Sequence, residues 1–451
     1  VTSGAPLYAE ADVAVVGGGP AGLAAAASAA RGGARTLLVE RYGFLGGMGT
    51  AGGVTNFAGL YGRVGGQWQQ LVRGVADELL ERIDALGGLN APQDGLQGRI
   101  RVRSYDTSAY KCAADALMAD AGVQLLFHAL VTGVVKAGAV DAEGERIDGL
   151  VVHTRSGPRL VRARVVVDAS GDADVAALAG VPFEVGDGAG SGLYPTTMFR
   201  IAGVDPARAL AAIGEFKAID ELMAKAAASG QYRFPRRGAI LRPQLDPTEW
   251  RANVTQLAAP DGRALNALDA AELSRGEVEG RRQIVEYMRF LRAEVPGFEK
   301  ARITEIAPQV GVRETRRIAG AYALSGEDIL SSARFEDRIG INAWPMELHA
   351  AGRIDWGFPR DEARAFNDLP LRMLLPQGRV GNLLVAGRCA SMTHEGQSAA
   401  RASGGCFVMG QAAGTAAAQM LQHAGPVAWG RLDITALQDR LRAQGAVLDV
   451  A

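Results

Sequence analysis

The apolar positions of this chain change period several times, and each change marks an element. An apolar run at 13–16 precedes an alanine-rich stretch at 20–31, which Gly32 and Gly33 stop. A second apolar run follows at 36–39. Strand, helix and strand in this order make one parallel βαβ start. Residues 42–62 carry no Asp, Glu, Lys or Arg and read as an irregular glycine loop. Between 66 and 86, Trp68, Leu71, Val72, Val75, Leu79, Leu80 and Ile83 step by three and four, which predicts an amphipathic helix. Tyr110, Ala113, Leu117 and Met118 predict another over 107–121. From 123 the period falls to two. Strands are expected at 124–127, 130–136, 147–154 and 159–162, with Ser156-Gly157 turning the meander. A fully apolar strand at 165–167 ends in Asp168-Ala169-Ser170-Gly171-Asp172. A helix at 270–294 stops at Val295-Pro296-Gly297. A buried strand at 383–386, a glycine-rich helix at 404–422 and a short helix at 433–442 close the chain.

No linker or low-complexity segment divides these elements, so two interwoven domains are expected. One covers 8–182 and 376–451, with 57–105 packing as a helical insertion; the other, mixed α+β and substrate-facing, covers 183–375. The formal net charge of −1 over 451 residues excludes the basic excess that general nucleic-acid binding needs. Cys112, Cys389 and Cys406 form neither a disulfide framework nor a zinc spacing, which fits a reduced, cytoplasmic setting. Neither a secretory leader nor an integral membrane span is expected. Glycine is the outlier, at 59 residues, and calls for many tight turns and close backbone approaches.

Gly17-Gly18-Gly19-Pro20-Ala21-Gly22 is G-x-G-x-x-G, and it stands between a predicted strand and a predicted helix. In that context Gly17 allows the tight turn, Gly19 lets the backbone approach a pyrophosphate, and Gly22 lets helix and strand pack closely. The helix N-terminus offers N–H groups and positive dipole to the phosphates. Glu40 ends the next strand, where a carboxylate accepts from ribose hydroxyls and repels a 2′-phosphate. The fingerprint leaves FAD and NAD both open. Three predicted strand ends spread along the chain, at Glu40, at 168–172 and at 382–388, point to one extended ligand.

Glu40-Arg41 with Leu45-Gly46-Gly47, then Asp168-Ala169-Ser170-Gly171-Asp172-Ala173-Asp174, resemble the FAD-dependent oxidoreductases of the glutathione-reductase-type flavin fold. A narrower resemblance is to a bacterial FAD-dependent oxidoreductase family. It rests on Val295-Pro296-Gly297-Phe298, Gly311-Val312-Arg313-Glu314-Thr315-Arg316, residues 382–388, Thr393-His394-Glu395 and Gly410-Gln411-Ala412-Ala413-Gly414. The resemblance implies a Rossmann-like α/β fold with a β-meander, and FAD as cofactor. It places Gly17, Gly19 and Gly22, with Pro20 and Ala21 between them, at the pyrophosphate and Glu40 by the adenosine ribose, and counts Arg41 among the cofactor-binding residues. Gly46, Gly47 and Met48 would lie along the cofactor, Val131 by the adenine, Ala169 and Gly171 at a second pyrophosphate-side turn, and Gly387 and Arg388 by the ribityl chain. Gly404 and Gly405 would open a helix aimed at the flavin, where its dipole stabilises the anionic reduced ring.

The chain lacks a second G-x-G-x-x-G led by a strand, a C-x4-C redox pair and the Gly-Asp-Ala-Ala-His run of aromatic hydroxylases; Gly387-Arg388-Cys389-Ala390-Ser391 stands there instead. Hydride transfer from an alcohol or amine C–H of a small molecule to flavin N5 is the activity implied, with oxygen or a carrier as the terminal acceptor. A flavin monooxygenase and a flavin-binding module without turnover are the alternatives. A base of near-neutral pKa suits the hydride donor, and histidine supplies one. His394, beside Glu395 on a late loop, and His349, two residues after Glu347, are the candidates; His128, His153 and His423 read as structural or surface residues. Arg313, Arg316 and Arg401 are candidates to bind an anionic substrate or the flavin O2.

Overall fold

The computed structural model describes residues 4–137, 144–214, 217–378, 380–422 and 427–450. His423 lies outside the described residues. The elements that position the site are β1 (Leu7–Val16), α1 (Pro20–Arg31), β2 (Thr36–Val39), β3 (Gln124–Leu126), β4 (Leu130–Lys136), β5 (Ile147–Thr154), β6 (Gly157–Asp168), β7 (Leu383–Val385) and α2 (Ser403–Gln422). Their seven strands form one sheet in the order β3-β2-β1-β6-β5-β4, with β7 also paired to β6. β1, β2, β3, β6 and β7 run parallel, and β4 and β5 join antiparallel as a meander. The arrangement is a Rossmann-like α/β sheet.

β6 is one strand where two were expected. It pairs with β5 from Gly157↔Thr154 to Arg162↔Gly149, and buried and exposed residues alternate from Val161 to Arg164. Its last residues, Val165 to Asp168, are all buried, because β1 flanks them on one side and β7 on the other. α1 and α2 cross in near-backbone contact. A Cβ at Gly410 or Gly414 would come within 2.0 and 2.1 Å of the carbonyl oxygens of Ala21 and Ala25. Small residues four apart face each other on both helices, and this closeness brings the first turn of α2 alongside that of α1.

The helix expected over 66–86 is two elements. Tyr61–Val64 and Gln67–Gln70 form a hairpin, and only Val75–Ala85 is helical. Gly65 and Gly66 both take positive φ, 57° and 79°, as a two-residue primed turn requires. Gly74, at φ 69°, separates hairpin from helix. The 57–105 segment is accordingly not a helical insertion. It adds a small antiparallel sheet of Asn56–Ala58, Ile100–Ser104 and Gln93–Gly95.

A second layer is built from Ile240–Pro243, Trp250–Asn253, Phe199–Ala202 and Arg302–Ile306, paired antiparallel in that order. The helix Ala270–Glu294, capped by the Asp269 carboxylate accepting from the Glu272 N–H at 2.8 Å, covers it. Ile284, Tyr287, Phe290 and Leu291 of that helix pack with Trp250 and Phe298 in one apolar core. Among the described residues, no helix is long and apolar enough to cross a membrane.

Candidate active site

The parallel strands β1, β2, β6 and β7 deliver Gly17, Glu40, Ala169 and Gly387 to one edge of the sheet, and a cavity of about 480 Å3 opens there. Ligands of open α/β sheets bind at this carboxyl edge. The cavity continues past the sheet to the second layer, where Arg236, Arg251, Arg313 and His349 line it.

The three fingerprint glycines do different jobs. Gly17 has φ +96°, and a Cβ there would lie 2.5 Å from the Ala169 carbonyl oxygen. At Gly22 a Cβ would lie 1.7 Å from the Gly17 carbonyl oxygen. These two glycines are required by the turn and by helix-on-strand packing. Gly19 is the N-cap of α1, at φ −74°, and a Cβ there would meet only the Gly47 Cα, at 3.6 Å. The room beside Gly19 therefore belongs to the cavity, at the end of a helix whose first N–H groups lack intrahelical partners.

Glu40 is 5% exposed; its carboxylate accepts from the Gly18 N–H at 2.6 Å and the Tyr42 N–H at 2.9 Å. Burial raises its pKa against those two hydrogen bonds. Gly47, Met48, Val131, Ala169 and Gly171 line the cavity, as do Pro20, Ala21, Arg41, Gly387 and Arg388. Gly46, at φ +109°, caps the 3-10 turn Gly47–Gly49 and, like Gly22, supports the wall from behind.

Asp172 ties the strand ends together. It accepts from Arg388 at 2.6 Å, Arg41 at 3.2 Å and the Thr315 hydroxyl at 2.9 Å. Burial alone would raise its pKa, but the guanidinium groups of Arg388 and Arg41 hold it below the ordinary carboxylate value. Arg388 also donates to the Gly171 carbonyl at 2.8 Å. Arg41 and Arg388 are thus structural ties as well as cavity walls. Arg316 ends in the same region, donating to the Asp172 carbonyl at 2.8 Å and pairing with Asp174 at 3.2 Å.

α2 presents Ser403 and Cys406 to the cavity. Gly404 and Gly405 stand beside them without lining the cavity, and a Cβ at either would strike the carbonyl oxygens of Gly59 and Ala400, at 2.0 and 2.4 Å. These glycines serve packing around the helix start.

His349 stands on the strand Met346–Ala350, 4% exposed, and lines the cavity with Arg313 and Arg401. Its Nε2 lies 3.1 Å from the Glu347 carboxylate, whose other oxygen accepts from the Trp344 indole N–H at 3.1 Å. Burial opposes ionisation of Glu347, but His349, Arg401 and Arg313 hold its pKa well below the usual carboxylate range. Burial, then the neighbouring Arg313 charge, push the His349 pKa well below 6.5. A neutral imidazole beside an ionised carboxylate carries its proton on Nε2, which leaves Nδ1 with its lone pair. Among the described residues Nδ1 has no hydrogen-bond partner.

His394 is not brought to the cavity. It is the first residue of the helix His394–Ala400, not part of a loop, and Thr393 caps that helix. Its Nδ1 lies 2.9 Å from Glu314, a buried carboxylate that also pairs with Arg317 and accepts from the Leu193 N–H at 2.8 Å. Glu314, not Glu395, is its acidic partner. Arg236, Arg251 and Asn253 line the second-layer end, and no motif in the sequence marks them. Only five of the 48 basic residues are lysine, so no single arginine stands out in the sequence.

A family profile described as FAD dependent oxidoreductase matches residues 12–441. Thiamine thiazole synthase of Sulfolobus acidocaldarius is 32% identical over 181 residues, which are 38% of this chain and 60% of that protein. The Methanococcus vannielii thiamine thiazole synthase is 30% identical over 175 residues, 37% of this chain. The chain thus spans 60% and 58% of the length of these two curated relatives. Among solved structures, p-nitrophenol 4-monooxygenase from Pseudomonas putida is 12% identical with a TM-score of 0.47, covering 97% of this chain and 84% of that one.

Proposed function

The chain belongs to the FAD dependent oxidoreductase family, and on that premise we propose that it is a dehydrogenase or oxidase, removing hydride from an alcohol or amine carbon of a small organic molecule. It is a flavoprotein oxidoreductase with FAD as its cofactor. The residues present suit that group. The empty space beside Gly19 at the start of α1 takes a pyrophosphate, Glu40 takes a ribose, and Met48 and Val131 offer apolar wall. When bound, FAD supplies a two-electron hydride acceptor.

The rest of the reaction falls to the chain. His349 receives the proton of the substrate O–H or N–H on Nδ1, while Glu347 fixes the ring and stabilises the imidazolium that forms. Trp344 holds the second carboxylate oxygen, so Glu347 cannot turn away. Arg313 and Arg401 orient the substrate. The observation that carries this reading is a buried, oriented histidine in the same cavity as the glycine cradle.

The β-meander joined to a parallel sheet supports the glutathione-reductase type of flavin fold. We assign flavin binding to residues 8–182 and 376–451 and substrate binding to 183–375, since the seven-stranded sheet draws on the first set and the four-stranded sheet on the second. The test is anaerobic. The yellow protein is mixed with a panel of alcohols, amines and hydroxy acids, and bleaching of the flavin absorbance identifies the donor. If no member bleaches the flavin, while a reduced nicotinamide does and the organic partner gains oxygen, the reading is wrong.

A further inference from the structure

The second-layer end of the cavity holds more positive charge than the protein itself balances. Arg236, Arg251 and Arg313 line it and are 3, 4 and 6% exposed. Arg236 and Arg313 donate to the same oxygen, Asn253 Oδ1, at 2.9 and 3.2 Å, so two like charges converge on one neutral acceptor. Arg313 also donates to the Tyr194 carbonyl at 2.6 Å, and Arg251 to the Val54 carbonyl at 2.6 Å. Among the described residues none of the three has a carboxylate within ion-pair distance. The Nε atoms of Arg236 and Arg251 are buried without any hydrogen-bond partner.

Nearby acids offset only part of it: Glu347 is one carboxylate acting on Arg236, Arg251 and Arg313 as well as Arg401, and Asp220, which accepts from the Ala239 N–H at 3.3 Å, acts on Arg236. Elsewhere the fold pairs its buried arginines: Arg317 with Glu314, and Arg388 with Asp172. Buried charge without a partner is costly; burial lowers the pKa of all three groups, Arg251 to about 9, and neighbouring guanidinium groups lower those of Arg251 and Arg313 further. Such a cluster persists where a ligand supplies the missing anion. The FAD phosphates are not that anion on this reading, because their cradle is at Gly19, on the other layer.

We propose that the substrate is a small organic acid carrying at least two negative groups, held by Arg236, Arg251 and Arg313 within reach of His349. The inference rests on the reading of this end of the cavity as the substrate site. Planar guanidinium forks match carboxylates bidentately, and they bind phosphate by the same chemistry.

The FAD-loaded full chain is titrated calorimetrically with succinate, citrate, glycerol 3-phosphate and the uncharged dimethyl ester of succinate, with flavin absorbance followed in parallel. Doubly or triply charged acids are expected to bind and perturb the flavin spectrum, more weakly as salt rises, and the ester is not. Preference for the carboxylates or for the phosphate ester identifies the acid group, and either supports the proposal. Arg236→Met is the cleanest variant, since Asn253 Oδ1 keeps its bond from Arg313. It is expected to weaken acid binding by about 30-fold or more, with FAD occupancy unchanged. Its Tm without acid is expected to equal or exceed that of the parent, because removing an unbalanced buried charge relieves a cost, whereas a structural arginine would lower it. Arg236→Lys should recover part of the affinity. Equal binding of acid and ester, no acid binding at all, unchanged affinity in Arg236→Met, or loss of FAD in that variant would each overturn the proposal. If a neutral alcohol or amine bleaches the flavin while no acid binds, the oxidoreductase reading stands and this one falls. If acids bind through Arg236 and nothing bleaches the flavin, the reverse holds.

Discussion

Substituting alanine separately at Gly17 and Gly19 separates folding from cofactor binding within one six-residue motif. At Gly19 the backbone is in an ordinary region, φ −74°, and the new methyl would meet only the Gly47 Cα, at a normal 3.6 Å. The cost to the flavin-free protein is that of alanine replacing glycine at an N-cap, about 1 kcal/mol or less. At Gly17 the residue must hold φ +96° and set its methyl 2.5 Å from the Ala169 carbonyl oxygen. The left-handed backbone costs about 1–2 kcal/mol and the overpacking a further ~1–3 kcal/mol. The sum is a sizeable share of a typical ~5–15 kcal/mol stability. FAD affinity should follow the opposite ranking relative to damage. In Gly19→Ala the methyl stands where the pyrophosphate meets the helix N-terminus, and charge-assisted bonds worth about 1.5–3 kcal/mol are displaced, a ~10- to 150-fold rise in Kd. The assay pairs denaturant unfolding of the flavin-stripped proteins with FAD titration followed by fluorescence quenching. Parental FAD affinity in Gly19→Ala, or equal stability of the two stripped variants, would refute the assignment of roles.

His349→Ala should keep its flavin and slow flavin reduction by the true substrate ~10²- to 10⁴-fold, as measured by anaerobic stopped flow; if His394→Ala shows that loss and His349→Ala does not, the base is His394. Because burial and Arg313 push the His349 pKa well below 6.5, its base form persists through the usual histidine range, so the reduction rate should stay flat on acidification to about pH 6.5 and fall only below it. The same depression means the unfolded chain takes up this proton first, so stability is lost as pH falls below 6.5, and in His349→Gln the Tm should fall less over that window. Asp172→Asn leaves Arg41 and Arg388 without their shared carboxylate and should cost about 3–5 kcal/mol in denaturant unfolding, with weaker FAD retention.

Local pattern carried the start of this protein well. The first βαβ unit, the helices at 107–120 and 270–294 and the meander strands are fixed by neighbouring residues: apolar period, glycine stops and caps such as Asp269. The fingerprint was legible for the same reason, since turn, helix start and strand end lie within a few residues of one another. Where glycine geometry overrides apolar spacing, the pattern misled: Leu71 and Val72 fit a helical step, yet Gly65, Gly66 and Gly74 hold backbone angles that only a hairpin and its exit use.

What tertiary structure alone decided is which distant side chains share a space. His349 and His394 are both histidines near an acid in the sequence. Only packing buries one on a cavity wall beside Glu347 and turns the other onto Glu314, 80 residues away. Arg236, Arg251 and Arg313 are likewise unremarkable members of an arginine-rich chain until Asn253 gathers two of them in a buried, unbalanced cluster. Turn and helix chemistry depends on residues adjacent in sequence, so the amino-acid order determined the cofactor cradle. The charge and shape of the substrate end depend on long-range contacts, so they emerge only when the two layers meet.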